Sequence, residues 1–187
     1  RKHGSGNVGA ANAFRVLGPS VGILVLIIDA IKGILPVVII VDFLTGRGIG
    51  ISPFLTNQDS LVLRIFLGVA AVLGHSFTVF LKFKGGKGMA ATLGVLIGLS
   101  IKFSAVRFIL VGEVALWILI FAFSRVVSLA SLVSAVFFPL FFIVFKQPPA
   151  LIIMSLVLAA FTIIRHKSNI YRLLRNKEPS IKLGKSS

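Results

Sequence analysis

Six long apolar runs dominate this chain of 187 residues. A membrane-spanning helix needs about 20 apolar residues to cross roughly 30 Å of hydrocarbon. Such runs are too many for one soluble core of this size, and a composition of 57% hydrophobic and 13% charged residues also excludes a soluble globular domain. The chain is therefore predicted to be all-α, a polytopic integral membrane helical bundle. The six predicted spans are residues 20–44, 61–81, 88–101, 104–123, 126–145 and 149–164.

The third predicted span, 88–101, is short, because its 14 residues reach only about 21 Å as a helix. We expect it to cross where the bilayer is thinned or where protein surrounds it, unless its true boundary lies several residues away.

Positive charge is concentrated on one side of the predicted bundle. The chain has 20 Lys and Arg against 5 Asp and Glu, a net charge of +15. The loops on one side carry 14 of these cations and those on the other carry 4, which predicts that the first side faces the cytoplasm. Anionic headgroups or phosphorylated substrates account for the excess, so we expect no nucleic-acid partner. The cation-rich loops are 1–19, 82–87, 124–125 and 165–187; the others are 45–60, 102–107 and 146–148.

Cysteine is absent from the sequence, which excludes disulfides, thiolate nucleophiles and cysteine-based metal sites. With three histidines and five acidic residues, the chain has few candidates for metal ligands or acid–base catalysts. Residues 1–187 show no internal repeat or hinge and are predicted to form a single membrane-embedded domain. The chain begins at Arg1 without an apolar signal segment, so we expect it to be a piece of a longer protein.

The first polar motif, within residues 1–19, is GSGNVGAANAFR from Gly4 to Arg15. It matches G-x-G-x-x-G, but a dinucleotide site needs a preceding strand and a water-accessible acid about 20 positions on. Neither is present. Its glycines and polar side chains at a helix start instead favour an oxyanion site, and a plain polar linker is the alternative.

The second motif, within residues 82–92, is centred on KFKGGKG from Lys82 to Gly88. Leu81 and Gly88 break the Walker pattern. Three lysines and three glycines between two spans still make a flexible cationic backbone suited to phosphate. The alternative is a lysine cluster that only anchors the loop to anionic lipid.

The third motif is RHKSNIYRLL, from Arg165 to Leu174, where the last span enters the tail 165–187. If the helix continues, His166, Asn169 and Leu173 share one face. The ordinary alternative is a basic segment beside the membrane with no further function. It explains the charges but not the His-x-x-Asn spacing.

Asp29, Lys32 and Glu113 are charged residues that lie inside predicted spans. Asp29 and Lys32 are three residues apart and can pair, while Glu113 has no local partner, so we expect a neighbouring helix to satisfy it. These residues are the basis of one alternative function, a small-solute transporter.

Together the motifs resemble the bacterial acyl-phosphate:glycerol-3-phosphate acyltransferases, polytopic enzymes that begin membrane phospholipid synthesis. The resemblance runs the length of the chain, and the ordered set of motifs is specific where any single one is weak. The matching residues are GSGNVGAAN with Arg15, Asp29 with Lys32-Gly33, LGHSFTVFLKFKGGKGMAAT, and IIRHKSNIYRLL followed by Glu178.

The chain departs from the family pattern at several positions. Ala11 replaces a threonine, which removes one expected substrate contact, and Thr78 and residues 89–91 also differ. Asn176 replaces a glycine and can still adopt the left-handed conformation. The family has a further membrane helix ahead of its first motif, so seven spans are expected in the full protein.

The resemblance implies transfer of a fatty acyl group from acyl phosphate to glycerol 3-phosphate, which yields lysophosphatidic acid and phosphate. It implies a monomer in the bacterial inner membrane with its active face in the cytoplasm, and no metal or cofactor. Catalytic roles are implied for Ser5, Lys87, His166 and Asn169. Substrate binding is implied for Gly6, Asn7, Gly9, Asn12, Arg15, Lys84, Gly85, Gly86, Gly88 and Arg165.

We expect Lys87, Gly85, Gly86, Ser5 and Asn7 to hold phosphate oxygens. Arg15 and Lys84 would bind the second phosphate, while His166 and Asn169 would orient the hydroxyl. Either His166 or the departing phosphate takes the proton, and the residues leave that choice open. The His-x4-Asp dyad of other glycerolipid acyltransferases is absent. A second alternative is a non-catalytic membrane subunit that recruits anionic lipid or nucleic acid through its tail.

Overall fold

The computed structural model describes residues 3–44 and 57–181, and all regular structure within them is helical. A π-helical turn, Pro36–Ile40, joins α2 to α3, and a 3-10 turn, Val79–Leu81, follows α4. The all-α prediction is confirmed. The helices are α1 (Ala10–Leu17), α2 (Pro19–Leu35), α3 (Val41–Leu44), α4 (Asn57–Ser76), α5 (Met89–Lys102), α6 (Ser104–Ser124), α7 (Val127–Val144), α8 (Pro149–Arg165) and α9 (Lys167–Leu174).

Each of the six predicted apolar runs forms helix. Four described segments are long and apolar enough to cross a membrane, and α8 with α9 makes a fifth candidate that is bent by 59°. The short helix α5 has 14 residues, so the number of crossings stays a prediction. The four segments are Pro19–Leu44, Asp59–Leu81, Ser104–Ser124 and Val127–Val144.

Two of the predicted helical segments are not continuous straight α-helices. The second predicted span, 61–81, falls within the apolar segment Asp59–Leu81. Its α-helix, α4, begins earlier, at Asn57, and ends at Ser76, because a hydropathy window does not detect polar first turns or a change of backbone geometry within an apolar run. The loop expected over 45–60 therefore overlaps α4, and its residues 45–56 lie outside the described ranges. The last helix does not continue straight through the third motif, since it bends at His166.

Helix α5 is the central helix of the described bundle, and its length is explained by its surroundings. Val95, Leu96 and Leu99 are buried in the main core, where α5 packs most extensively against α2. Gly33 and Gly94 let the two backbones touch, since a Cβ at either position would overlap main-chain atoms of the other helix. Protein rather than lipid surrounds much of this short helix.

Buried charges at one end of the bundle are paired. Arg64 is fully buried and donates hydrogen bonds to the Val37 carbonyl and the Asp42 carboxylate. Lys102 donates to the same carboxylate. Val37 lies within the π-helical turn Pro36–Ile40, so the carbonyl that accepts from Arg64 belongs to the part of the helix where the backbone is irregular.

The opposite end of the bundle carries the three sequence motifs and is called the polar end below. It contains the turn before α1, residues 82–88 (the Gly/Lys loop), the α6–α7 connection at Arg125, and the α8–α9 bend with residues 175–181. The chain passes through this end in four separate places, so residues far apart in sequence meet there.

Candidate active site

The first motif forms a tight turn that Asn12 holds in place. Gly4 and Gly6 have positive φ angles of 61° and 71°, a region that glycine enters without strain. The Asn12 side-chain oxygen accepts hydrogen bonds from the Ser5 backbone N–H at 2.7 Å and the Ser5 hydroxyl at 3.1 Å. This closure brings Ser5 and Asn7 to the start of α1, where backbone N–H groups favour an anion.

Hydrogen bonds to backbone carbonyl groups and from the Arg165 side chain hold the Gly/Lys loop in place. The Gly85 N–H donates to the Ser76 carbonyl at 3.0 Å, and the Arg165 guanidinium donates to the Gly86 carbonyl at 3.0 Å. The His75 ring packs directly against Gly86, where a Cβ would come within 3.0 Å of His75 Cε1. Glycine is therefore required by close packing at this point, and the loop directs Lys87 into the bundle.

His166 is buried at the α8–α9 bend with a defined tautomer. Its Nδ1 lies 2.8 Å from the Thr162 carbonyl oxygen. Because a carbonyl can only accept, Nδ1 carries the hydrogen and Nε2 is left as an acceptor. Burial lowers the pKa of His166 to about 4, and the positive charge of Lys87 adds to that effect. The ring is therefore neutral near pH 7.

Glu178 is the centre of a hydrogen-bond network that links the tail to two helices, α7 and α9. Its carboxylate accepts from Ser128 at 2.7 Å, from Asn169 at 2.6 Å and from Arg172 at 2.7 Å. Burial alone would raise the pKa of Glu178, but the bonds from Arg172, Ser128 and Asn169 outweigh it, so the pKa is lowered and the group is ionised. The network orients Asn169, whose side-chain oxygen accepts from Lys87.

Lys87 is a partly desolvated cation among other cations. Burial lowers its pKa to about 8; Glu178 opposes this shift, whereas Arg172, Arg15 and Arg165 reinforce it. A phosphate group bound beside Lys87 would neutralise part of the positive charge of Lys87 and the neighbouring arginines. The polar end therefore has the electrostatic properties of an anion site.

A cavity of about 540 Å³ joins these groups to the interior of the bundle. Its mouth is polar and cationic, while its depth is lined by apolar side chains of α2, α5, α6, α7 and α8, among them Leu26, Leu93, Trp117, Phe138 and Leu158. A second cavity, on the α4–α8 side, shares Asn7 and Lys87 with the first. The main cavity thus offers one ligand a cationic head site and a continuous apolar channel.

The structure brings most of the predicted site residues to the main cavity. Those that line it are Ser5, Asn7, Gly9, Asn12, Arg15, Lys87, Gly88, His166 and Asn169. Gly85, Gly86 and Arg165 support the loop without lining that cavity, although Arg165 lines the second one. Gly6 shapes the first turn, and Lys84 is exposed and lines neither cavity. The functional roles of all these residues stay predictions.

Sequence reasoning did not assign Glu178, Arg172 or Ser128 to the site. Glu178 stands alone as an acid in a cationic tail, and that isolation is a signal that a partner cluster exists. Ser128 gives only a weak signal, a hydroxyl in the first turn of an apolar helix. Two smaller predictions about polar residues are confirmed: Lys32 pairs with Asp29 at 2.8 Å, and Asn176 adopts a φ of 53°.

His75 extends the Asp29–Lys32 pair, since its Nδ1 lies 3.4 Å from the Asp29 carboxylate. Within residues 3–44 and 57–181, no cluster of three or more His, Asp or Glu side chains is arranged to hold a metal ion. The groups available for chemistry at the polar end include fixed cations, the Glu178 carboxylate, amides, hydroxyls and the neutral imidazole of His166.

Comparison with known proteins identifies the family. The family model described as glycerol-3-phosphate acyltransferase matches residues 1–176. The chain is 41% identical to the glycerol-3-phosphate acyltransferase of Geobacter sulfurreducens over 182 residues, which are 97% of this chain and 84% of the relative. It is also 41% identical to that of Aquifex aeolicus over 178 residues, 95% of this chain and 83% of the relative.

Two crystal structures of PlsY (YgiH), an integral membrane glycerol 3-phosphate acyltransferase, are similar to this fold at 38% sequence identity. The glycerol 3-phosphate form has a TM-score of 0.78 and aligns with 96% of this chain and 80% of its own. The lysophosphatidic acid form has a TM-score of 0.76, with 95% and 81% aligned. This multi-pass membrane chain belongs to the glycerol-3-phosphate acyltransferase family.

Proposed function

We propose that this protein transfers a fatty acyl group from an acyl phosphate to a hydroxyl group of glycerol 3-phosphate. The observation that carries the proposal is the main cavity, where a cationic mouth opens directly into an apolar channel. An acyl phosphate has the same division between a charged head and an apolar tail. The glycerol 3-phosphate and lysophosphatidic acid forms of the similar PlsY structures support the acceptor and the product.

The proposed chemistry needs positioning and charge neutralisation more than a strong base. An acyl phosphate is a mixed anhydride, so its carbonyl carbon is already activated. The glycerol oxygen forms a bond to that carbon, the carbon–oxygen bond to phosphate breaks, and the hydroxyl proton leaves on phosphate. Lys87, Ser5 and Asn7 hold the phosphate oxygens while Arg15 contacts the phosphate of the second substrate, which stabilises the charge that develops as phosphate leaves.

His166 orients the acceptor hydroxyl in this proposal. Its free Nε2 accepts a hydrogen bond, but a pKa of about 4 makes the imidazole a weak general base. The departing phosphate is an anion that binds a proton more tightly than this imidazole does, so it is the better proton acceptor. We therefore assign the hydroxyl proton to the departing phosphate and not to His166, a choice that the sequence alone leaves open.

The proposed setting is a single membrane-embedded domain, monomeric, in the bacterial inner membrane with the polar end in the cytoplasm. Lys82, Lys84 and Arg125 stand at the polar end, which agrees with the positive-inside rule. A transporter is not favoured, because Asp29 is paired with Lys32 and His75 and the family consists of acyltransferases.

The donor is tested with the intact protein in mild detergent, labelled glycerol 3-phosphate and three donors in separate reactions: palmitoyl phosphate, palmitoyl-CoA and palmitoyl acyl carrier protein. We expect lysophosphatidic acid and inorganic phosphate from palmitoyl phosphate alone. Product from either thioester at a similar rate would contradict the donor assignment. Folded protein that makes no product from any donor would overturn the proposed function.

The rate is also expected to depend on the charge of Lys87. Because the lysine must be protonated to hold phosphate, kcat/KM should fall as pH rises through about 8. Steady-state rates between about pH 6 and 10 measure this limb. His166→Gln should lower the rate yet keep the alkaline limb, whereas a limb that disappears in that variant would assign the titration to His166 instead.

A further inference from the structure

The deepest part of the main cavity contains a carboxyl group. Helical rise places Glu113 about 16 Å from the polar end of α6 at Ser124. Phe138 lies at a comparable depth, about 15 Å along α7 from Ser128. Both line the cavity, so the channel that begins with cations at Lys87 ends beside an acid.

This end of the cavity holds polar atoms without hydrogen-bond partners. Glu113 is 8% exposed and Ser134 is 4% exposed. Within the described part of the chain, neither Glu113 Oε1 nor Ser134 Oγ makes a hydrogen bond. Ser134 of α7 nevertheless interacts with the Glu113 carboxyl group, so the expected partner on a neighbouring helix is present, although Oε1 has no hydrogen bond of normal geometry. Nearby, Trp117 donates to Ser131 at 3.3 Å.

Buried polar atoms in native structures are usually paired with protein or water. A pocket lined by several polar groups is able to hold a water molecule, whereas a hydrocarbon chain offers no hydrogen bond. An acyl chain that stops short of Glu113 leaves this hydration in place. A longer chain displaces it, so that Glu113 Oε1 and Ser134 Oγ lose the hydrogen bonds that water supplies, which weakens binding.

We propose that Glu113, together with Ser134, forms a polar floor of the acyl channel that limits the chain length of the donor. The inference rests on the proposed function, since it assigns the cavity to the donor's acyl chain. Glu113 acts on specificity, at a distance from the reacting atoms near Lys87 and His166. A donor that reaches the floor is used less efficiently than one that ends above it.

The test compares kcat/KM for decanoyl, myristoyl, palmitoyl and stearoyl phosphate. Glu113→Leu makes the floor apolar, and we expect it to raise the ratio of stearoyl to decanoyl efficiency by about tenfold, the value for one lost unsatisfied polar contact. Ser134→Ala should shift the ratio in the same direction by less. Glu113→Gln keeps a polar floor and should retain the unmodified profile. Val111→Leu, at a position of α6 that is 67% exposed, is the matched control.

The outcomes separate this inference from the proposed function. Activity of the unmodified protein with decanoyl phosphate supports the function regardless of the floor. A stearoyl to decanoyl ratio unchanged in both Glu113→Leu and Ser134→Ala overturns the floor, as does an unmodified profile that is flat across the four donors. An equal rise in the KM for glycerol 3-phosphate with every donor assigns these polar groups to the acceptor site instead. Inactivity with all donors overturns the function and the floor together.

Discussion

Replacing Lys87 with methionine is expected to lower kcat/KM by about 10²–10³-fold, the effect of removing one charged contact to a group that develops charge in the transition state. Lys87 lies where the two cavities meet and donates to Asn169. Methionine keeps much of the length and volume of the side chain, so the loss is one of charge and hydrogen bonding. Steady-state kinetics with palmitoyl phosphate and glycerol 3-phosphate measure it.

Lys82→Met is the matched control because it removes the same charge from the same loop at an exposed position that lines neither cavity. We expect it to change kcat/KM by less than about threefold, since an exposed charge is screened by salt. Equal losses in the two variants would show that the loop acts through its overall charge, and the assignment of Lys87 would then fail. A thermal unfolding curve of each variant establishes that both are folded.

Gly94→Ala is expected to give the largest loss of stability. A Cβ at Gly94 would overlap the carbonyl oxygen of Ala30 and come within 2.7 Å of its carbonyl carbon. Backbone atoms cannot rotate away as a side chain does, so α2 and α5 must separate along their contact. Overpacking of this kind costs about 1–3 kcal/mol or more, and we expect the unfolding midpoint in detergent to fall by roughly 5 °C or more.

Gly74→Ala is the control, because both glycines lie inside helices and a Cβ at Gly74 would meet nothing within 4 Å. Alanine favours helix over glycine by about 1 kcal/mol, so this variant should be as stable as the unmodified protein or slightly more stable. If both substitutions had the same effect on the midpoint, the close approach of α2 and α5 would not be a source of stability. Activity should follow the midpoint, since α5 begins beside the Gly/Lys loop.

The helices could be predicted because hydropathy is a local property. Each apolar run is long enough to indicate a helix without reference to the rest of the chain. Even for the short α5, the predicted span 88–101 lies within one residue of the observed ends, Met89 and Lys102. Boundaries that depend on geometry rather than hydropathy were not predicted. The 59° bend at His166 depends on how α9 and the tail pack under the polar end, and periodicity along one helix contains no such information.

The site was predictable to the extent that its residues cluster in motifs. Glycines with lysine, serine or asparagine in short stretches indicate an anion site wherever they fold, and Ser5, Asn7, Lys87 and His166 do line one cavity. Glu178 was not assigned to the site because its function depends on partners in two other segments, α7 and α9. Ser128, its partner 50 positions away, is ordinary in its own sequence context.

The sequence by itself determined that this protein is a helical membrane bundle with a cationic end suited to phosphate, since composition, apolar run length and charge position decide those properties directly. The tertiary structure alone decided which donors and acceptors meet. Lys87 reaches Asn169 across 82 residues, and Glu113 lies at the bottom of the channel because α6 and α7 pack side by side. Such contacts depend on how helices pack in three dimensions, and no local pattern in the chain records that packing.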